Sequence, residues 1–267
     1  MANLKLGAAV AVCATGLFST VLTGQVVYVD AAAPAGGDGA SWGSALNDLQ
    51  AGLAAARGSV AVREVRVAQG IYRPGTAGDR GVSFELVAGV SLRGGYAGVA
   101  STTPDARDMR TTPTVLSGDL AGDDVAGDRR GVRSDNAYHV VKAVGLAYAT
   151  VIDGFHITGG RADGGGAGES QGGGLYADQC GGNLVVSRCV VRDNDATYGG
   201  GVMILDSAVL VTQCAVVGNR ASAYPGLRAE GMRLPLVPTL EHCTFAFNIS
   251  GTGSCAGRER SGDRTQS

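Results

Sequence analysis

Leu184-Val-Val-Ser-Arg-Cys-Val-Val-Arg-Asp-Asn194, Val209-Leu-Val-Thr-Gln-Cys-Ala-Val-Val-Gly-Asn219 and Pro238-Thr-Leu-Glu-His-Cys-Thr-Phe-Ala-Phe-Asn248 are three copies of one pattern. Each reads apolar, x, apolar, x, x, Cys, x, apolar, x, x, Asn. A degenerate fourth copy carries Ile152, Phe155 and Ile157 in the apolar places and Gly160 in place of the Asn. The step from Cys189 to Cys214 is 25 residues and from Cys214 to Cys243 it is 29. Self-similarity at such a period marks a stack of repeats. Alternation with period 2, as in Val209, Val211 and then Cys214, Val216, makes each repeat a set of short strands. The two residues between Val211 and Cys214 break the alternation and predict a bend. Asn tolerates left-handed backbone and bonds to neighbouring main chain, so it is expected to form a tight corner.

These features predict an all-β chain, a parallel β-helix whose strands line three faces, with residues 150–249 as its clearest repeats. Stacking at about 4.8 Å places Cys189, Cys214 and Cys243 in one inward column. It places Asn194, Asn219 and Asn248 in a ladder at one corner. Gly172–Gly174 and Gly199–Gly201, each followed by an apolar strand, form a second recurring element.

The Gly-Gly-Gly-apolar element with apolar-x-x-Asn, fullest at Phe245-Ala-Phe-Asn248, resembles the repeats of chlamydial-type polymorphic outer membrane proteins. More broadly, the chain is similar to bacterial right-handed parallel β-helix proteins of the pectin-lyase-like superfamily. Gly39-Ala-Ser-Trp42-Gly-Ser-Ala-Leu46, Val65-Arg-Val-Ala-Gln-Gly-Ile-Tyr72, Gly89-Val-Ser-Leu92-Arg-Gly-Gly-Tyr96 and Val151-Ile-Asp-Gly-Phe155 agree with that likeness. It implies a fold and not a function, because that superfamily holds lyases, hydrolases, adhesins and passenger domains.

Residues 1–24 read as a secretory signal peptide, with one Lys, an apolar run from Leu6 to Leu22, and cleavage after Gly24. No integral membrane segment is expected after cleavage, and the mature chain is expected outside the cell or on the outer surface of a bacterium. Residues 25–249 form one domain, and residues 250–267 are polar and expected to be disordered. A net charge of −2 gives no case for nucleic acid. Ser44 as N-cap, Leu46, Leu49 and Leu53 on one face, and Gly58 as stop predict a capping helix over about 44–57. It would plug the N-terminal end of the stack.

Cys180, Cys189, Cys214, Cys243 and Cys255 follow the signal segment. They are expected to act as small buried hydrophobes more than as disulfides, and not as metal ligands. Asp119, Asp123, Asp124 and Asp128 crowd one loop and are the candidate calcium ligands, although a solvated acidic loop is the expected outcome. His139 and His156 read as outward surface imidazoles, and His242 should point outward. No catalytic constellation stands out and no cofactor is expected. The leading reading is a non-enzymatic, adhesin- or passenger-like scaffold that presents a face to polysaccharide or cell-surface glycans. The alternative is a polysaccharide lyase or glycoside hydrolase, which acids and arginines clustered on one face of neighbouring rungs would favour.

Overall fold

The computed structural model describes residues 24–125, 133–231 and 236–251. The signal segment up to residue 23, Asp128, Cys255 and the tail from residue 252 lie outside them. Almost all regular structure is parallel β, arranged in four sheets. Sheet I holds Gln25–Val29, Val62–Ala68, Ser91–Tyr96, Thr150–Asp153, Leu184–Ser187, Val209–Thr212 and Thr239–Glu241. Sheet II holds Gly70–Tyr72, Thr114–Ser117, Phe155–Thr158, Val190–Arg192, Ala215–Val217 and Thr244–Ala246. Sheet III holds Arg161–Ala162, Asp195–Tyr198, Arg220–Ala223 and Ile249–Ser250. Sheet IV holds Phe84–Glu85, Val141–Val144, Leu175–Asp178, Val202–Leu205 and Leu227–Glu230. From Thr150 onward the chain visits sheets I, II, III and IV in that order and repeats the circuit, an arrangement consistent with a parallel β-helix. The expected three faces are therefore four. Sheet III was hidden because its inward column is Ala162, Ala196, Ala221 and Ser250 among polar neighbours, which leaves no apolar alternation to read.

The register turns the repeat into columns. Val27, Val65, Leu92, Ile152, Val186, Val211 and Leu240 are successive partners across sheet I. Tyr72, Leu116, Ile157, Val191, Val216 and Phe245 are their counterparts in sheet II. Val186, Val191, Val211 and Val216 are almost wholly buried. Each such side chain contributes about 1.5–3 kcal/mol of apolar burial, repeated at every rung. Cys189 and Cys214 share this core, and all four described cysteines are free thiols.

The asparagine ladder forms at the corner between sheets II and III. Asn219 Nδ2 donates to Asn248 Oδ1 at 3.0 Å and to Val191 O at 2.9 Å, while its Oδ1 accepts from Asn194 Nδ2 at 3.0 Å. Asn194 Oδ1 in turn accepts the Gly160 N–H at 2.9 Å, so the degenerate copy joins the ladder through its backbone. Gly160 is required there, since a Cβ would lie 1.8 Å from the Gly173 carbonyl oxygen. The corner geometry corrects the sequence reading in one respect. The left-handed residue is the one before each Asn, namely Asp193, Gly218 and Phe247, with φ between 55° and 66°. A second left-handed position, Arg188, Gln213 and His242, precedes each Cys and makes the bend between sheets I and II.

The helix spans Leu49–Gly58 and not 44–57. Asp48 is its N-cap and accepts the Gln50 and Ala51 N–H groups. Ser44 is unavailable because its hydroxyl is committed to Asp38 at 2.6 Å, and Leu46 is bridged to Val29 in extended backbone. Leu49, Leu53 and Ala56 are buried in the core cluster with Val27, Val29 and Val65 of the first rungs. No helix among the described residues is long and apolar enough to cross a membrane.

Val216 and Thr212 separate the two faces. Val216→Asp puts an unpaired carboxylate in the core and is expected to abolish soluble expression, whereas Thr212→Asp on the outward face should change stability by about 0.5 kcal/mol or less. Comparison of the soluble fractions and melting temperatures of the two variants checks this.

Candidate functional site

Outward positions on sheet I form a second column, running Tyr28, Arg66, Arg93, Asp153, Ser187, Thr212 and Glu241. At its centre is Asp153, whose side chain is 1% exposed. Its Oδ1 accepts from Ser187 Oγ and Arg188 Nε, each at 2.8 Å. Its Oδ2 accepts from Arg93 Nη1 at 3.2 Å and faces Arg107 Nη2 at 3.0 Å and Arg188 Nη2. Burial alone would raise this carboxyl. The bonds from Arg188 and Ser187 and the charge of Arg107 outweigh it and hold the group below the usual carboxylate range.

Local backbone explains why these groups meet. Arg188 occupies the left-handed bend after the sheet I strand, with φ 50°, and its guanidinium forks onto the outward carboxylate one rung earlier. Arg107 comes from the segment joining Tyr96 to Thr114 and is anchored through Nε to the Gly94 carbonyl at 2.7 Å. Toward the N-terminal end, Arg66 bonds Glu64 at 2.8 Å and Asp105 at 2.7 Å. Its guanidinium lies 5.8 Å from the Tyr28 ring centre and 5.5 Å from that of Tyr96. Burial opposes its charge, but Glu64 and Asp105 more than offset this and keep it protonated. Trp42 edges onto Tyr28 and donates Nε1 to Asp105 at 3.0 Å.

The N-terminal part of the face thus carries Arg66, Arg93, Arg107 and Arg188 against Glu64, Asp105 and Asp153, while Glu241 stands at the far end of the column. The Arg93 and Arg188 side chains are 34% and 39% exposed and form its wet edge. Arg93 Nε has no hydrogen-bond acceptor and lies 3.7 Å from Glu64 Oε2.

The other sequence-derived candidates lie elsewhere. Asp119, Asp123 and Asp124 each bring one carboxylate oxygen within 4.8 Å of the others. Asp119 is not solvated; it is buried, and its oxygens accept the N–H groups of Gly122, Asp123 and Asp124 at 2.7–3.2 Å. Asp124 is paired with Arg133 at 3.1 Å and Asn136 at 2.9 Å. Asp123 is exposed, and its carboxyl is pushed up by desolvation and by the like charges of Asp135, Asp119 and Asp124. His139 is buried, not outward: Nδ1 lies 3.0 Å from the Gly172 carbonyl and the ring rests 5.1 Å from Tyr176. Burial depresses its pKa to about 4, so the imidazole is neutral at physiological pH. His242 is exposed, as its place in the pattern requires.

Two outcomes follow from this geometry. Asp153→Asn leaves three guanidinium groups without their common anion and should cost on the order of 3 kcal/mol at neutral pH. Because the folded carboxyl sits below its unfolded value, this stabilisation is present above the unfolded pKa and is lost as pH falls through the folded one. Denaturant melts of both proteins should therefore converge in acid. Calcium and chelator should leave the melting temperature of the native protein unchanged, since Asp119 is filled by backbone donors and Arg133 already neutralises Asp124. A calcium-dependent rise that Asp123→Ala removes would instead make the cluster a cation site.

No family model, curated protein or solved structure matches the chain.

Proposed function

We propose that the chain is an exported, non-enzymatic scaffold, wound as a right-handed parallel β-helix of the pectin-lyase-like kind with polymorphic outer membrane protein-type repeats. Its helix closes the N-terminal end, and the outward face of sheet I receives acidic glycans at a cell surface. The observation that carries this reading is the arginine excess around Asp153. A guanidinium presents paired N–H donors to a carboxylate or sulfate, and Arg93 and Arg188 are the groups within reach of one. The half-buried Tyr28 adds aromatic surface toward the N-terminal end of the face, beneath Arg66.

A second reading, a uronate-cleaving lyase, draws support from the same place, because Glu64, Arg93, Asp153 and Arg188 cluster on one face of neighbouring rungs. Against it, Asp153 is buried and held ionised by guanidinium groups on both oxygens, so it is in no position to take a proton from a substrate.

Binding of the purified protein to immobilised acidic and neutral polysaccharides separates these readings. Acidic polymers should be retained and released by salt, and Arg93→Gln with Arg188→Gln should weaken retention at least about tenfold, a loss of about 1.4 kcal/mol. Neutral glycans should not bind. Appearance of unsaturated product from pectate or alginate, lost in the same double variant, would favour the lyase.

A further inference from the structure

One corner of the stack holds a residue out of keeping with its column. Gln171 is bridged to Tyr198, and Tyr198 pairs with Ala223, so Gly172, Gly199 and Tyr224 are equivalent positions where the chain leaves sheet III for sheet IV. All three have left-handed backbone, with φ of 68°, 63° and 58°. Glycine adopts that backbone freely, and a Cβ on Gly172 would lie 2.8 Å from the Leu175 carbonyl oxygen. A bulky side chain there is disfavoured, so Tyr224 is held against its own backbone preference. Its ring does not fill the core. It is 54% exposed, and Tyr198 one rung earlier is 38% exposed. The Arg228 guanidinium, paired with Glu230, lies 5.0 Å from the centre of the Tyr224 ring and 4.6 Å from that of Tyr198. One cation thus holds both rings at the surface.

Beside these rings, sheet III carries a shallow groove of about 290 Å³ lined by Arg161, Asp163, Asp195, Thr197, Arg220 and Ser222. Thr197 adjoins Tyr198 in the chain, and Ser222 is two residues before Tyr224. Both acids of the groove are already paired, Asp163 with Arg80 at 2.5 Å and Arg161 at 2.9 Å, and Asp195 with Arg133 at 2.8 Å. Arg220 has no acid partner among the described residues, and the hydroxyls of Thr197 and Ser222 bond to none of them.

We infer that the groove and the two tyrosines form a second carbohydrate site, which takes a pyranose ring bearing a carboxylate or a sulfate. Arg220 offers paired N–H donors to the anion. Thr197 and Ser222 bond the sugar hydroxyls, and the electron-rich face of a tyrosine ring attracts the polarised C–H groups of the pyranose. The strain at Tyr224 is then the cost of placing an aromatic ring beside the groove at a corner built for glycine. For the class of ligand the inference rests on the acidic-glycan reading, but none of its residues belongs to the sheet I face.

Calorimetric titration of the full chain with tetragalacturonate, a sulfated tetrasaccharide and neutral cellotetraose tests this. At least one acidic sugar should fill two sites, one on each sheet, and cellotetraose should fill neither. Arg220→Gln should weaken the sheet III site at least about tenfold, while Arg93→Gln with Arg188→Gln leaves it unchanged. Tyr224→Gly should weaken it as well without lowering the melting temperature, because glycine suits the left-handed corner. Acidic-sugar binding that Arg220→Gln and Tyr224→Gly both leave untouched overturns the proposal. A single site abolished by the Arg93 and Arg188 changes overturns it too and leaves the sheet I reading standing. A single site abolished only by Arg220→Gln supports it and overturns the sheet I reading instead. Cellotetraose bound as tightly as the acidic sugars overturns the assignment of an anionic ligand.

Discussion

A carboxamide buried at a corner has to be satisfied by its neighbours, and the asparagine ladder sets the terms for everything around it. Asn219 has no water to bond, so its two N–H groups and its oxygen must find partners on the rungs before and after. Those partners exist at one register only. A slip of one residue would take the Asn out of the corner and turn every inward valine of sheets I and II to the outside. The ladder therefore fixes the register of the sheets that flank it, and the apolar columns follow from that register.

The same register builds the charged face. Asp153 and Ser187 are cross-strand partners because Ile152 and Val186 are partners one residue earlier. The bend that carries the chain from sheet I to sheet II is taken by Arg188 in left-handed backbone, and this aims its fork at Asp153. A residue that serves the backbone thus also serves the electrostatics. Arg107 then ties a long connecting segment to the face, through the Asp153 backbone carbonyl as well as its carboxylate. Buried charge is tolerated here because every lone pair of the carboxylate is directed at a donor.

Much of the fold was legible in the sequence because stacked repeats translate offset into position. The inward places of Val186, Val191, Val211 and Val216, the cysteine column and the asparagine ladder all came from three aligned segments. The helix start did not, because Ser44 and Asp48 are both good capping residues and only the tertiary bond from Ser44 to Asp38 decides between them. Sheet III left no apolar signature. His139 is a polar residue in a buried place, and a single histidine carries no periodic signal that would reveal it. The cluster around Asp153 was missed for a different reason. Its members come from positions 93, 107, 153 and 188, and two of the four precede the clear repeats, while Asp153 lies in the degenerate copy. Ser187 and Arg188 stand at non-apolar places of the repeat, and the pattern does not reveal what they face.

The unequal lengths of the rungs show where this architecture can absorb new sequence. From Ile152 to Val186 is 34 residues, while from Val186 to Val211 is 25, yet the two pairs are in the same register. Most of the surplus lies between Ala162 and Leu175, where the chain leaves sheet III and bulges before entering sheet IV, and the rest between Asp178 and Leu184. In the last rung the added residues lie at a different corner, between Glu230 and Thr239. Both corners accept insertions without disturbing a single inward column, so they are the natural sites for grafting foreign peptides or for lineage-specific elaboration. The corner holding the asparagines has no such freedom, because each added residue there would break a rung-to-rung amide bond.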